Sequence, residues 1–98
     1  MKTPIFTGAA TALITPFKNR EIDYEAFAQI IDDQLSAGID ALVVCGTTGE
    51  ASTLTDDEQI SATEFAVKRV AGRVPVIAGA GSNDTEHAIR LCKRSCEV

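Results

Sequence analysis

Three short apolar runs recur at a nearly constant interval along this 98-residue chain, and their spacing constrains its fold more than any other feature. The runs cover residues 9–15, 41–45 and 74–78. Each is followed by proline or glycine, and short continuous apolar runs with such boundaries are typical of strands buried on both faces. The equivalent positions Ala10, Ala41 and Val74 lie 31 and 33 residues apart. A regular period of this size predicts parallel strands joined by helical crossovers.

The stretches between the runs have the periodicity of amphipathic helices and carry recognisable helix boundaries. The first helix is predicted over residues 24–37, with Asp23 as its N-cap and Gly38 as its stop. Ile22 and Phe27 occupy the positions of a hydrophobic staple around that cap. The stripes expected to face the core are Phe27, Ile30, Ile31 and Leu35 in the first helix, Ile60, Val67 and Val70 in the second, and Ile89, Cys92 and Cys96 in the third.

The second and third helices also have predictable starts. Thr55 and Glu58 fit a capping box, and the acidic residues of that segment suit the positive end of the helix dipole. We interpret these acids as a solvated helix start, and Gly72 as the residue that closes the helix. Asn83 is the predicted N-cap of the third helix, which would place Asp84 in its first turn.

Composition excludes several function classes. The net charge is −5 and the nine basic residues are scattered, so no electrostatic footprint for nucleic acid or an anionic membrane is present. No apolar run approaches the roughly 20 residues of a membrane span, and the first residues do not form a secretory signal. We therefore expect a cytoplasmic protein. Cys45, Cys92 and Cys96 are predicted to be buried, reduced thiols, without disulfides or a metal site.

The fold class predicted from these patterns is α/β with parallel strands, and two architectures share it: the doubly wound sheet and the (β/α)₈ TIM barrel. Three parallel strands alone leave two open edges and an uncovered face, whereas a complete barrel needs about 250 residues. We therefore expect residues 1–98 to be an N-terminal fragment of a single TIM-barrel domain, comprising its first three βα units. The alternative is a small flavodoxin-like binding module that is complete as it stands.

Chemistry in such folds is located where the strands end at their carboxyl sides. The most informative segment there is Gly46-Thr47-Thr48-Gly49-Glu50, because glycines allow a close approach of ligand to backbone, and hydroxyl and N–H groups can hold a carboxylate. A plain βα turn, with threonines that satisfy local backbone groups, explains the same residues. The segment lacks the lysine of a phosphate-binding P-loop. Residues 79–83 contain only G-x-G, which we interpret as turn geometry, and His87 is interpreted as a surface or interface residue.

Several motifs in order resemble the dihydrodipicolinate synthase family. The turn at residues 46–50 followed by Leu54 resembles the family's signature, residues 11–17 resemble its first strand and loop, and residues 72–79 with Gly81 and Asn83 resemble its third strand and turn. The resemblance covers nearly the whole chain. N-acetylneuraminate lyases, a related group of pyruvate-dependent sugar-acid lyases, usually carry serine at the first threonine position. Thr47 therefore favours the synthase over that alternative.

This resemblance implies a class I lyase in which pyruvate forms a Schiff base with a lysine, and the enamine then attacks L-aspartate 4-semialdehyde in lysine and diaminopimelate biosynthesis. It implies no cofactor, a homotetramer or dimer, a catalytic proton-relay role for Thr47 and a role for Thr48 in binding the pyruvate carboxylate. The family's lysine, its relay tyrosines and its substrate-binding arginine lie beyond the third unit. None of the lysines in this chain sits at the end of a predicted strand, and Tyr24 opens a helix, so we expect this polypeptide alone to be inactive.

Overall fold

The computed structural model describes residues 2–98, in which three helices and five strands follow one another along the chain. They are β1 (Ala10–Ala12), β2 (Phe17–Lys18), β3 (Glu21–Ile22), α1 (Tyr24–Ser36), β4 (Ala41–Val44), α2 (Asp56–Val70), β5 (Val76–Ala78) and α3 (Thr85–Cys96). A 3-10 turn at Ala51–Thr53 precedes α2. None of the helices in this part of the chain is long and apolar enough to cross a membrane.

The three predicted strands, β1, β4 and β5, form one parallel sheet in chain order. Leu42 and Val44 of the central strand pack with Phe27 of α1 and Ala62 of α2 in a single core, so both helices cover the same face of the sheet. A doubly wound sheet has helices on both faces. The structure therefore confirms the partial (β/α)₈ barrel, and the flavodoxin-like alternative is wrong.

The prediction that all three strands are buried on both faces is correct only for β4. Ala12, Val43 and Ile77 are in register on the face that points away from the helices. Ala12 is exposed and Ile77 is 39% exposed, and Ile14 just after β1 is 54% exposed. These side chains are accessible because no other element among residues 2–98 packs on that face. The strands are also shorter than the apolar runs that predicted them.

Local sequence determines the start of α1 and of α2 as predicted. The Asp23 carboxylate accepts the Ala26 N–H at 3.1 Å. Thr55 Oγ1 accepts the Glu58 N–H at 3.1 Å, and Glu58 Oε1 accepts the Thr55 N–H at 2.8 Å, which completes the capping box. These caps satisfy N–H groups that have no partner within the helix.

The predicted cap of α3 is wrong by one residue. Asp84, not Asn83, is the N-cap, and its carboxylate accepts the N–H groups of Glu86 and His87 at 3.1 and 3.4 Å. A charged carboxylate is the stronger acceptor for these amides, and it also suits the positive end of the helix dipole. The first turn of α3 therefore begins at Thr85.

The buried face of α2 also differs from the prediction. Val70 is buried as expected, but Val67 is 37% exposed and Ile60 is only half-buried. The buried residues of α2 are Gln59, Ala62, Thr63, Ala66 and Val70. Two alanines and a threonine allow the helix to lie close to β4 and β5, and this closeness decides which face is buried.

In α3, Leu91 is the buried residue, whereas the predicted stripe of Ile89, Cys92 and Cys96 is exposed. The prediction of buried thiols is therefore wrong for Cys92 and Cys96. It is confirmed for Cys45, which is 2% exposed and is a free thiol.

A short hairpin between β1 and α1 was not predicted. β2 and β3 are antiparallel, and their two-residue connection, Asn19-Arg20, has φ of 54° and 66°. Positive φ at both positions is the requirement of a type I′ turn, which usually contains glycine. The hairpin places Lys18 at the end of a strand, contrary to expectation, but β2 is not part of the parallel sheet.

Ion pairs join neighbouring helices. Arg69 of α2 donates to Asp32 of α1 through Nε at 2.9 Å, and Arg94 of α3 donates to Asp57 of α2 at 2.7 Å. Asp57 is 86% exposed, in agreement with a solvated helix start, and its partner in α3 was not predicted. Because both pairs are exposed, each contributes little to stability.

Candidate functional site

The segments that follow the three parallel strands meet at one edge of the sheet. The Gly79 N–H donates to the carbonyl of Val44 at 2.8 Å, which joins the end of β5 to the end of β4. On the other side, Thr15 Oγ1 donates to the carbonyl of Gly49 at 2.7 Å. The turn at residues 46–50 therefore lies between the other two segments and at the mouth they share, as the sequence predicted.

The chain enters this turn through a strained residue. Cys45 has φ of +57°, a left-handed conformation that non-glycine residues rarely adopt. Its side chain is buried, and its Sγ lies 3.7 Å from the carbonyl oxygen of Gln59 in α2. Burial raises the pKa of the Cys45 thiol, which keeps it protonated near neutral pH. Cys45 is thus placed to redirect the backbone at the end of β4, not to act as a nucleophile.

Gly79 allows the backbones of two strands to come unusually close. A Cβ at this position would lie 2.1 Å from the carbonyl oxygen of Cys45 and 2.7 Å from its carbonyl carbon. By contrast, a Cβ on Gly81 would meet nothing within 4 Å. The first glycine of the G-x-G segment therefore serves backbone packing beside the turn, in agreement with the turn interpretation.

Backbone hydrogen bonds fix the conformation of the turn, and the side chains of its two threonines are exposed to solvent. The Glu50 N–H donates to the carbonyl of Thr47 at 3.0 Å, and Glu50 itself has φ of +58°. Gly49 is buried, whereas Thr47 and Thr48 are exposed. The structure thus brings both sequence-predicted site residues to the mouth of the sheet, where their hydroxyls are accessible to a ligand.

The residues after the turn anchor it to α2. The Gln59 side-chain amide donates to the carbonyl of Ala51 at 3.0 Å, and Thr53 Oγ1 donates to the carbonyl of Glu50 at 2.9 Å. Gln59 is only 8% exposed. The position of the turn is therefore coupled to the position of the second helix.

His87 is half-buried between two polar partners. Its Nδ1 lies 2.8 Å from Ser82 Oγ, and its Nε2 lies 2.7 Å from Asp56 Oδ1. Ser82 Oγ also accepts the Asp84 N–H at 3.1 Å. The three side chains connect the segment after β5 to the starts of α3 and α2, so Asp56, like Asp57, has a partner that the sequence did not predict.

Tyr24 is the first residue of α1, and its ring packs against Phe65 with a centroid distance of 4.8 Å. Burial raises the pKa of its phenol. In the part of the chain that the structure describes, no three metal-ligating side chains come together.

Besides the partners of His87, sequence reasoning missed two features of the turn: the hydrogen bond from Thr15 and the left-handed backbone of Cys45. Thr15 and Gly49 are 34 residues apart, so no local pattern connects them. The strain at Cys45 has no local signal either, because neither glycine nor asparagine marks the position.

In comparisons with known proteins, the chain matches one enzyme family over almost its whole length. The sequence model of the Dihydrodipicolinate synthetase family matches residues 5–98. The 4-hydroxy-tetrahydrodipicolinate synthase of Acetivibrio thermocellus is 50% identical over 98 residues, which cover 100% of this chain and 34% of that protein.

Solved structures of the same family also match the chain. The crystal structure of dihydrodipicolinate synthase from Aquifex aeolicus superposes with a TM-score of 0.91 and 52% sequence identity, covering 94% of this chain and 31% of that one. A structure described as the first monomeric dihydrodipicolinate synthase variant gives a TM-score of 0.91 and 42% identity, covering 95% and 31% of the two chains. The chain thus spans about a third of the length of the relatives it matches.

Proposed function

The chain belongs to the dihydrodipicolinate synthetase family, and we propose on this basis that it supplies part of the active site of a 4-hydroxy-tetrahydrodipicolinate synthase. In the proposed reaction, pyruvate loses its carbonyl oxygen as water when it condenses with a lysine amine. The resulting Schiff base loses a methyl proton to give an enamine, which attacks the aldehyde carbon of L-aspartate 4-semialdehyde. The product then cyclises and leaves the lysine free. The pathway served is lysine and diaminopimelate biosynthesis.

The observation that carries this proposal is the position of Thr47 and Thr48. Both are exposed on a fixed turn at the carboxyl ends of three parallel strands, which is where barrel enzymes hold their substrates. The names of the relatives support the choice of reaction. No contact within the described residues favours the sugar-acid lyase.

The two threonines have different proposed roles. Thr48 holds the carboxylate of pyruvate through its hydroxyl and its backbone N–H, because two convergent donors suit the two oxygens of a carboxylate. Thr47 passes protons between the reacting atoms and the groups that complete the relay, because a hydroxyl both donates and accepts a hydrogen bond.

The lysines of this chain do not suit Schiff-base formation. Lys68 and Lys93 lie on helices α2 and α3, Lys2 precedes the first strand, and Lys18 belongs to the hairpin. A reactive lysine needs a pKa lowered by burial, and all four of these residues are exposed. We therefore predict that the 98-residue chain alone gives no adduct when it is treated with pyruvate and borohydride. Intact-mass measurement of a reduced adduct on any of the four lysines would contradict this part of the proposal.

The roles of the threonines are testable in a fusion enzyme, in which this chain replaces the matching third of the Aquifex aeolicus synthase. The unmodified fusion should condense pyruvate with aspartate semialdehyde. Thr47→Val should lower kcat by roughly 10²- to 10⁴-fold, the range of a lost proton-transfer group, and Thr47→Ser should recover most of the rate. Thr48→Val should raise the KM for pyruvate by roughly 10- to 100-fold, as expected when one hydrogen bond to a charged group is lost and the backbone N–H remains.

Ser52→Ala is the matched control, because it removes an exposed hydroxyl from the same segment outside the turn. Its kinetic constants should equal those of the unmodified fusion. If Thr47→Val and Thr48→Val behave like the control, the threonines do not have the proposed roles. An inactive unmodified fusion would argue against the function itself.

The proposal includes a cytoplasmic location and a homotetramer or dimer. One solved relative is described as a monomeric variant, so assembly differs within the family. Sedimentation of the active fusion at several protein concentrations measures the oligomeric state, and a monomer at the concentrations used for activity would contradict this part of the proposal.

A further inference from the structure

Thr15 makes a buried hydrogen bond between two segments of the site. It lies in the segment after β1 and is 4% exposed, and its hydroxyl donates to the carbonyl of Gly49 at 2.7 Å. A hydroxyl removed from water is unfavourable unless it has a partner. Its partner here is a backbone group of the turn, so the bond stabilises one particular position of that turn.

The turn also packs tightly against Thr15 on its inner side. A Cβ on Gly49 would lie 3.1 Å from Thr15 Oγ1 and 3.2 Å from the Cα of Cys45. The backbone of Gly49 therefore fits tightly between the Thr15 side chain and the Cys45 backbone. On the outer side, Thr47 and Thr48 face solvent. Thr15 is thus a buried residue bonded to the same turn that exposes these two threonines.

From this geometry we infer that Thr15 is a positioning residue for the reaction, which acts through Gly49 to hold Thr48 where it binds the pyruvate carboxylate. The inference rests on the proposed function. It concerns a residue that has no part in the proton relay or in binding substrate directly. A displacement of a binding group by 1 Å is enough to lower activity by up to about 10²-fold, so a fixed turn is a kinetic requirement.

The first test uses three variants of the fusion enzyme. Thr15→Val keeps the shape and removes the hydroxyl, and we expect about a tenfold rise in the KM for pyruvate, the effect of one neutral hydrogen bond, with the KM for aspartate semialdehyde unchanged. Thr15→Ser keeps the hydroxyl and should restore the pyruvate KM to within about threefold of the unmodified fusion. The control is Thr11→Val, which removes a hydroxyl from the middle of β1 that bonds to Gln34 of α1 and not to the turn.

A merely structural role predicts a different result. Loss of folded enzyme lowers kcat for every variant that is destabilised and leaves both KM values unchanged. If Thr15→Val shows this pattern, or if Thr11→Val raises the pyruvate KM equally, the inference is wrong.

The second test does not depend on activity. In the 98-residue chain, amide hydrogen exchange of Glu50, whose N–H donates to Thr47, reports the stability of the turn. Thr15→Val should accelerate this exchange about tenfold relative to Thr11→Val, and Thr15→Ser should not. Equal exchange in the two valine variants would overturn the inference even if the fusion were active. An inactive fusion combined with selective acceleration would instead contradict the proposed function and leave the positioning of the turn supported.

Discussion

Because β5 closely approaches the end of β4, we predict that one methyl group added at Gly79 strongly lowers the free energy of unfolding. In Gly79→Ala the new carbon would lie 2.1 Å from the carbonyl oxygen of Cys45. Ordinary C···O contacts are about 3.3 Å, so the two backbone segments would have to separate by about 1 Å. Neither partner is a flexible side chain that could move aside. The hydrogen bond from the Gly79 N–H to Val44, now 2.8 Å, would lengthen as the segments part.

The expected cost follows from these two effects. Overpacking of a rigid site costs about 1–3 kcal/mol, and a lost backbone hydrogen bond adds about 1 kcal/mol. We therefore expect Gly79→Ala to lower the free energy of unfolding by about 3 kcal/mol. For a chain of this size, total stability is about 5–15 kcal/mol, and such a loss lowers Tm by roughly 12–24 °C.

The assay is thermal and urea unfolding of the purified chain, followed by circular dichroism. Gly81→Ala is the matched control, because it adds the same methyl group in the same segment, where nothing lies within 4 Å. The φ of Gly81 is not in the left-handed region, so alanine should be neutral or should stabilise by up to about 1 kcal/mol. If the two variants unfold at the same urea concentration, the reasoning about backbone approach is wrong.

Further predictions concern the third helix, the second helix and the buried thiol. Asp84→Ala should lower the free energy of unfolding by about 1 kcal/mol and Asn83→Ala by less than about 0.5 kcal/mol in urea titrations; the reverse order would return the N-cap to Asn83. Thr55→Ala should cost about 1 kcal/mol in the same assay, and no change would contradict the capping box. Burial raises the pKa of the Cys45 thiol, so the unfolded chain loses this proton first, and stability should fall as pH rises above about 8.5. Cys45→Ala should remove that part of the pH dependence, and an equal slope in both proteins would refute the assignment. In a native-state thiol titration, the two exposed cysteines of α3 should react freely while Cys45 reacts only on unfolding.

The features that the sequence predicted correctly are those determined within a few residues. The capping box joins Thr55 and Glu58, which are three residues apart. The Asp23 cap likewise depends only on the first turn of the helix that it caps. The parallel direction of the strands follows from the regular interval between apolar runs. For the site, glycine-flanked threonines directly after a buried strand were enough to place Thr47 and Thr48 at the sheet edge.

The features that escaped prediction depend on distant partners. The buried face of α2 depends on how the helix packs on the sheet, which buries Ala66 and leaves Val67 partly exposed. The hairpin turn at Asn19-Arg20 lacks the glycine that would have revealed it. Either Asn83 or Asp84 could cap an isolated helix. The position of the first turn in the folded chain makes Asp84 the cap.

The small side chains of α2 have a consequence for how this chain can change over evolutionary time. Ala62 and Ala66 are buried between the helix and the sheet, and their small size allows the two to pack closely. In the same helix, the side chain of Gln59 donates a hydrogen bond to the backbone that follows the threonine turn. A bulkier residue at either alanine would lift the helix and tilt the turn with it. Substitutions in the interior would thus change the position of the threonine turn, so variation at Ala62 and Ala66 should be coupled to variation in the residues around that turn.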